Sequence, residues 1–170
     1  QRQMCIRDRG NCYFITPDVM ELVSPAAIAQ LCLDPDEIMV MTKADVDNYF
    51  YRCCIPEEYE PYFGLPAVRV RDLGLSAEKL AEFAPDFGLD EEVYPVMRVL
   101  PMGWSHSPLV AQEAHEELLN KESSLIEETR MRDGKPWRRQ RQFHFSYIDD
   151  TVVGVVGKRR EVDQLRWECN

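Results

Sequence analysis

Two adjacent carboxylates, Asp149 and Asp150, interrupt an otherwise apolar stretch, Phe143-His144-Phe145-Ser146-Tyr147-Ile148-Asp149-Asp150-Thr151-Val152-Val153-Gly154-Val155-Val156. Two unit charges about 4 Å apart repel by roughly 4 kcal/mol at an effective dielectric near 20, so a fold that points both acids into one cleft needs a cation between them. A divalent metal is the natural partner, and ligation by oxygen alone suits Mg²⁺ or Mn²⁺. Aspartates are also ordinary polar turn residues, and the pair taken by itself leaves both readings open.

The elements that must position these acids follow from the residues around them. Aromatic and apolar residues run into the pair and β-branched residues run out of it, which predicts strand, tight turn, strand, with Asp149 and Asp150 at the tip. Gly154 and Gly157 are expected to loosen the second strand, and an amphipathic helix through Val162 and Leu165 to follow. Upstream, Ile38-Met39-Val40-Met41-Thr42-Lys43-Ala44 suits a buried strand and delivers Asp45 at its end. A further strand is expected at Val96-Met97-Arg98-Val99-Leu100. After Pro101-Met102-Gly103-Trp104-Ser105-His106, Ser107 reads as an N-cap and Pro108 as the first residue of a helix. That helix would reach about Asn120 with Val110, Ala114 and Leu118 on one face. His106 and His115 have no partner at ligand spacing and are left outside the site.

Elsewhere the chain carries less chemistry. Residues 10–34 have a helical pattern, Val19, Leu22 and Val23, then Ala26, Ala27 and Leu31, broken and restarted at Ser24-Pro25. Residues 56–94 hold several prolines and glycines and predict turns plus one short helix over 76–83. Residues 121–142 are charged, with a turn at Asp133-Gly134-Lys135-Pro136 and a basic run of Arg130, Arg132, Lys135, Arg138, Arg139 and Arg141 around Trp137. Such a run either grips phosphates, with the ring stacking on a base, or is a solvated loop anchored by one ring.

The 170 residues amount to one domain's worth of chain, with 45% hydrophobic and 29% charged residues, enough to bury a core. No apolar run is long enough to span a bilayer. Six cysteines show no metal-binding spacing with the three histidines, so reduced thiols in an intracellular protein, cytoplasmic or nuclear and not secreted, are expected. The net charge of -10 runs against nucleic-acid binding; the clustering of bases near Trp137, away from the acids of residues 57–60 and 113–128, softens that objection.

Tyr147-Ile148-Asp149-Asp150 resembles the Tyr-x-Asp-Asp signature of reverse transcriptases. Two further stretches are similar to that family in the same order. Asp45 is followed five positions later by Phe50, as in the first motif, whereas Asp47 would place Arg52 there. Leu100-Pro101-Met102-Gly103, then Ser107-Pro108 and a helix, is similar to the second motif, with Met102 where the family often has Gln. Tyr49 and Asp47 also depart from the usual pattern. The resemblance covers roughly residues 38–167. It implies an α+β polymerase palm, an antiparallel sheet with helices on one face, with partial fingers and no thumb. Residues 10–37 would be a remnant of fingers or connecting helices and 38–170 a palm truncated at its C-terminus. Residues 1–9, with Met4-Cys5-Ile6-Arg7-Asp8, look like a translated sequencing adaptor and are expected to be non-native.

The activity implied is RNA-directed DNA polymerisation, two-metal nucleotidyl transfer of deoxynucleotides onto a primer 3'-hydroxyl. On that resemblance Asp45, Asp149 and Asp150 are catalytic and, with the Val46 carbonyl, ligate two Mg²⁺ or Mn²⁺ ions. Phe50 excludes ribonucleotides, Met102, Gly103 and Tyr147 contact substrate, and Arg138, Arg139 and Arg141 contact nucleic acid. The implied partners are an RNA or DNA template with its primer and deoxynucleoside triphosphates, with no membrane. These residues alone are expected to be an inefficient enzyme. The contrasting expectations are an RNA-templated RNA polymerase, against which Tyr147 and Phe50 speak, and an inactive or co-opted palm that binds nucleic acid or protein.

Overall fold

The stretches on either side of Asp149 pair with each other, and the strand that ends in Asp45 pairs alongside them. The computed structural model describes residues 10–137 and 140–168. In chain order its elements are α1 (Pro25–Ile28), β1 (Glu37–Asp45), α2 (Tyr49–Arg52), β2 (Val68–Arg69), α3 (Ala77–Phe83), β3 (Glu92–Val93), α4 (Ser107–Glu122), β4 (Gln142–Tyr147), β5 (Asp150–Lys158) and α5 (Arg159–Glu168), with short 3-10 turns between. The protein is therefore mixed α and β, with small antiparallel sheets and helices. The described chain forms two compact units, one from residues 16–49 and 105–168, the other from 10–15 and 50–104. No helix among the described residues is long and apolar enough to cross a membrane.

In the first unit the sheet order is β1-β5-β4, antiparallel throughout. β1 and β5 pair from Glu37 opposite Lys158 to Asp45 opposite Asp150, and β4 ends with Tyr147 opposite Asp150. Side chains alternate between faces along a strand and directly opposed residues share a face. Asp45, Asp150 and Tyr147 thus form one row on one face, while Ala44, Thr151 and Ser146 form the row behind it. The acid-bearing face carries its apolar core towards the other end, where Phe143, Val156, Val23, Ala27 and Met131 are buried together with Met39, Phe145 and Trp137 against them. The Trp137 ring stands edge-on to Phe143 at 5.9 Å. Burial of Phe143 alone removes enough apolar surface to stabilise by about 1.5–3 kcal/mol. Helix α4 covers the opposite face, where Gln112 bonds to Ser146 and His115 to Thr151. Val162 of α5 lies beside Gly157.

Several sequence expectations are revised. The helical pattern of residues 10–34 yields only a 3-10 turn at Gly10–Tyr13 and the single turn α1. The cap is as expected, the Ser24 hydroxyl accepting from the Ala27 N–H at 3.2 Å ahead of Pro25. Preceding residues do not join the helix, because the Leu22 carbonyl accepts from the Asp133 N–H and Ile15 and Val19 have little to pack on. Gly154 does not loosen β5, which runs unbroken to Lys158. A Cβ there would collide with the Phe143 ring, so the glycine is the floor on which that ring sits.

Helix α4 takes His106 rather than Ser107 as its N-cap position. Its buried stripe is Ser107, Ala111, Gln112 and His115, not the apolar set Val110, Ala114 and Leu118; Leu118 is half exposed. The surface it covers presents hydroxyls and backbone polar groups, and buried polar groups demand hydrogen-bonding partners.

The second unit is loop-rich. Here β2 and β3 form a two-residue ladder, and residues 96–100 make isolated bridges at Val96 and Val99 instead of the expected strand. Phe14, Phe63 and Trp104 form its aromatic centre, with Phe14 stacked on Phe63 at 5.8 Å and Trp104 5.2 Å from each ring. Helix α3 forms where expected, Ser76 accepting from the Lys79 N–H at 3.3 Å.

Candidate metal centre

Asp45 is the last residue of β1 and Asp150 the first of β5, and the register sets them opposite each other. Tyr147 also opposes Asp150, so the hairpin turn is the two-residue pair Ile148-Asp149. Asp149 therefore sits in the turn and Asp150 just after it, one step deeper into the strand than a shared tip position. Carboxylate oxygens of Asp45, Asp149 and Asp150 all lie within 4.8 Å of one another. A backbone bond closes the site from below, the Val46 N–H donating to the Asp149 carbonyl at 3.0 Å.

Electrostatics follow from that crowding. The Asp45 carboxyl is held above the usual carboxylate range, by desolvation first, then by the adjoining Asp150 and Asp149 carboxylates, with Lys43 opposing. Lys43 precedes Asp45 by two residues on the same face of β1, and its ammonium lies 2.8 Å from Asp150 Oδ2. Its own pKa is raised, chiefly by that hydrogen bond. The other oxygen, Asp150 Oδ1, is buried without a hydrogen-bond partner. A buried, unsatisfied carboxylate oxygen beside two further carboxylates is a donor set made only of hard oxygens. Such a set fits Mg²⁺ or Mn²⁺.

The hairpin tip is fixed from behind by α4. Ile148 has φ of +57°, a left-handed conformation that is strained for a β-branched residue. Its N–H donates to Gln112 Oε1 at 2.6 Å, and its carbonyl lies 2.6 Å from His115 Nδ1. A carbonyl can only accept, so Nδ1 carries a proton, and in the neutral ring Nε2, 2.8 Å from Thr151 Oγ1, accepts from that hydroxyl. Gln112 Nε2 reaches Ser146 Oγ at 3.0 Å and Glu116 at 2.7 Å. The Tyr49 hydroxyl donates to the Ala111 carbonyl at 2.9 Å, and its ring lies 5.5 Å from that of His115. These partners were invisible to a search for metal-ligand spacing. The available signal was the polar pair Gln112 and His115, three residues apart and thus on one face of a helix.

The other residues expected at the site fall in several places. Tyr147 is about half exposed on the acid face. Phe50, Met102 and Gly103 belong to the second unit; Met102 is exposed, and Gly103 has φ of +105°, which requires glycine. Arg138 and Arg139 lie outside the described residues. Arg141 pairs with Glu161 at 3.2 Å. Much of the remaining basic run is neutralised: Arg130 is buried against Glu116 and Glu127, and Arg132 pairs with Glu127 and Glu21. The chain matches no protein-family model and no curated protein.

Proposed function

We propose that this chain is the palm of an RNA-directed DNA polymerase, whose Asp45, Asp149 and Asp150 hold divalent metal ions for nucleotidyl transfer. The observation that carries this reading is the convergence of three carboxylates, distant in sequence, at one end of an antiparallel sheet, with a buried Asp150 oxygen that lacks a donor. Mg²⁺ or Mn²⁺ held there supplies Lewis acidity towards the primer 3'-hydroxyl and charge stabilisation for the leaving pyrophosphate. The chain's own residues do the positioning. Asp45 and Asp150 are fixed opposite each other by the β1–β5 ladder, and Asp149 by its turn and by the Val46 N–H bonded to its carbonyl; on the resemblance, the Val46 carbonyl would add a further oxygen ligand. Lys43 partly neutralises the acids through its ion pair with Asp150. Tyr147 borders the row from the acid face; the roles proposed for Phe50, in excluding a 2'-hydroxyl, and for Met102 and Gly103, in contacting the nucleotide, rest on the sequence resemblance.

The test is deoxynucleotide incorporation on an RNA template with a DNA primer, using the complete open reading frame that contains this chain. Mg²⁺-dependent extension, abolished by Asp149→Asn with Asp150→Asn, is the expected result. A folded protein that binds Mn²⁺ but extends nothing would favour a co-opted palm, and one that binds no divalent ion would overturn the metal centre itself.

A further inference from the structure

We infer that His115 is a positioning residue for the metal centre, its imidazole holding the Asp149-Asp150 pair from both sides. This rests on reading the three carboxylates as metal ligands. The geometry is specific. Nδ1 bonds the carbonyl of Ile148, the residue before the acid pair, and Nε2 bonds the hydroxyl of Thr151, the residue after it. One rigid ring thus spans both ends of the segment that carries the two acids. Thr151 faces α4 while its neighbour Asp150 faces the cluster, so a bond on one face sets the backbone from which the carboxylate leaves on the other.

Pairing the buried hydroxyls and carbonyls beneath α4 is a demand of stability that several polar side chains could meet, whereas reaching both ends of the acid segment at once takes a ring with two nitrogens. The ring is 3% exposed, in a position on α4 that an apolar residue would ordinarily fill. The adjoining peptide is the strained one: Ile148 is held in the left-handed region. Strain of this kind persists only where surrounding contacts over-determine it. Gln112 holds the N–H of that residue and His115 its carbonyl. Of these two, only His115 also reaches beyond the acids. Second-layer contacts that orient metal-binding groups commonly change metal affinity by about tenfold to a hundredfold when removed.

His144 provides an internal control. It is equally buried on the same face and its Nδ1 lies 3.0 Å from the Thr129 hydroxyl, but it is five positions before Asp149 and touches neither end of the acid segment. The experiment compares the full chain with His115→Phe, His115→Asn, Thr151→Val and His144→Phe by two readouts. One is amide hydrogen exchange at Val46, whose N–H is bonded to the Asp149 carbonyl; it reports the placement of the tip without any metal. The other is Mn²⁺ affinity.

His115→Phe keeps a ring but no donor. It is expected to speed Val46 exchange by about tenfold or more and weaken Mn²⁺ binding by about tenfold to a hundredfold. His115→Asn keeps a donor near the Nδ1 position but loses the reach to Thr151, so it should recover only part of both. Thr151→Val, which leaves the helix untouched, should lie between. His144→Phe should change neither, whatever it does to the melting temperature. Unchanged Val46 exchange in His115→Phe and Thr151→Val, or an equal change in His144→Phe, would overturn the inference. Accelerated exchange in a protein that binds no Mn²⁺ in any form would uphold the brace and overturn the metal-centre reading on which it rests.

Discussion

At the end of the sheet where α1 packs, Phe143, Val156, Met39 and Val23 meet as apolar side chains. At the end where the acids lie, α4 meets the sheet through Gln112, His115, Ser146 and Thr151. Apolar contact is tolerant of small displacements, because burial is non-directional. A hydrogen-bonded seam is not, since a modest shift leaves buried donors and acceptors unpaired at about 1–3 kcal/mol each. The difference teaches that one end supplies adhesion and the other supplies position. Position is what a cluster of like charges requires.

The contrast can be broken most strongly at the adhesive end. Phe143→Ala should cost about 3–5 kcal/mol in chemical denaturation while leaving the Mn²⁺ affinity of the folded fraction unchanged. His144, near the middle of β4, gives the next largest effect. Burial first, then the Arg130 guanidinium, pushes its pKa from 6.5 to about 4. A folded value below the unfolded one means that the unfolded chain binds the extra proton. Stability should therefore fall by roughly 3 kcal/mol as pH drops from about 6.5 towards 4, and His144→Gln should flatten that slope in melts across the range.

At the positional end, Gln112→Ala should cost about 1–3 kcal/mol by leaving the Ile148 N–H unpaired, and unlike Phe143→Ala it should also weaken Mn²⁺ binding. Ile148→Gly sharpens the comparison with a small opposite effect. It should stabilise by up to about 1 kcal/mol, because glycine adopts positive φ without strain. The smallest shift belongs to Asp45. Its folded pKa is raised, so the contribution it makes to stability is present only in acid and is lost as pH rises through the folded value. Asp45→Asn should therefore slightly raise the melting temperature at neutral pH in chelator and remove the rise that Mn²⁺ produces in the parent chain.

How far the sequence led can be read from the same two ends. β1, β4 and β5 were legible within a residue or two, because alternating apolar and β-branched runs bounded by Asp45 and by Ile148-Asp149 leave little else for the chain to do. The meeting of Asp45 with Asp150 depends on strand register, which no local pattern specifies. The polar seam was misread because periodicity looks for apolar stripes. Val110, Ala114 and Leu118 have the right spacing, yet α4 buries the neighbouring face to satisfy the hydroxyls beneath it. Residues 10–34 carry a helical pattern, yet the stretch before Ser24 is not helical beyond its first turn, and the Leu22 carbonyl bonds to Asp133, a partner more than a hundred positions away in sequence.

The glycine beneath Phe143 carries a consequence for how this chain can change over time. The two positions face each other across β4 and β5, and the ring occupies the volume that any side chain at 154 would need. Neither position can drift alone: a larger residue at 154 is viable only beside a smaller one at 143, and a shrunken 143 leaves a void that a methyl at 154 would fill. Gly154→Ala and Phe143→Leu should each be deleterious singly and compensate when combined. In diverging copies of this sequence the two sites should therefore be found to change as a pair.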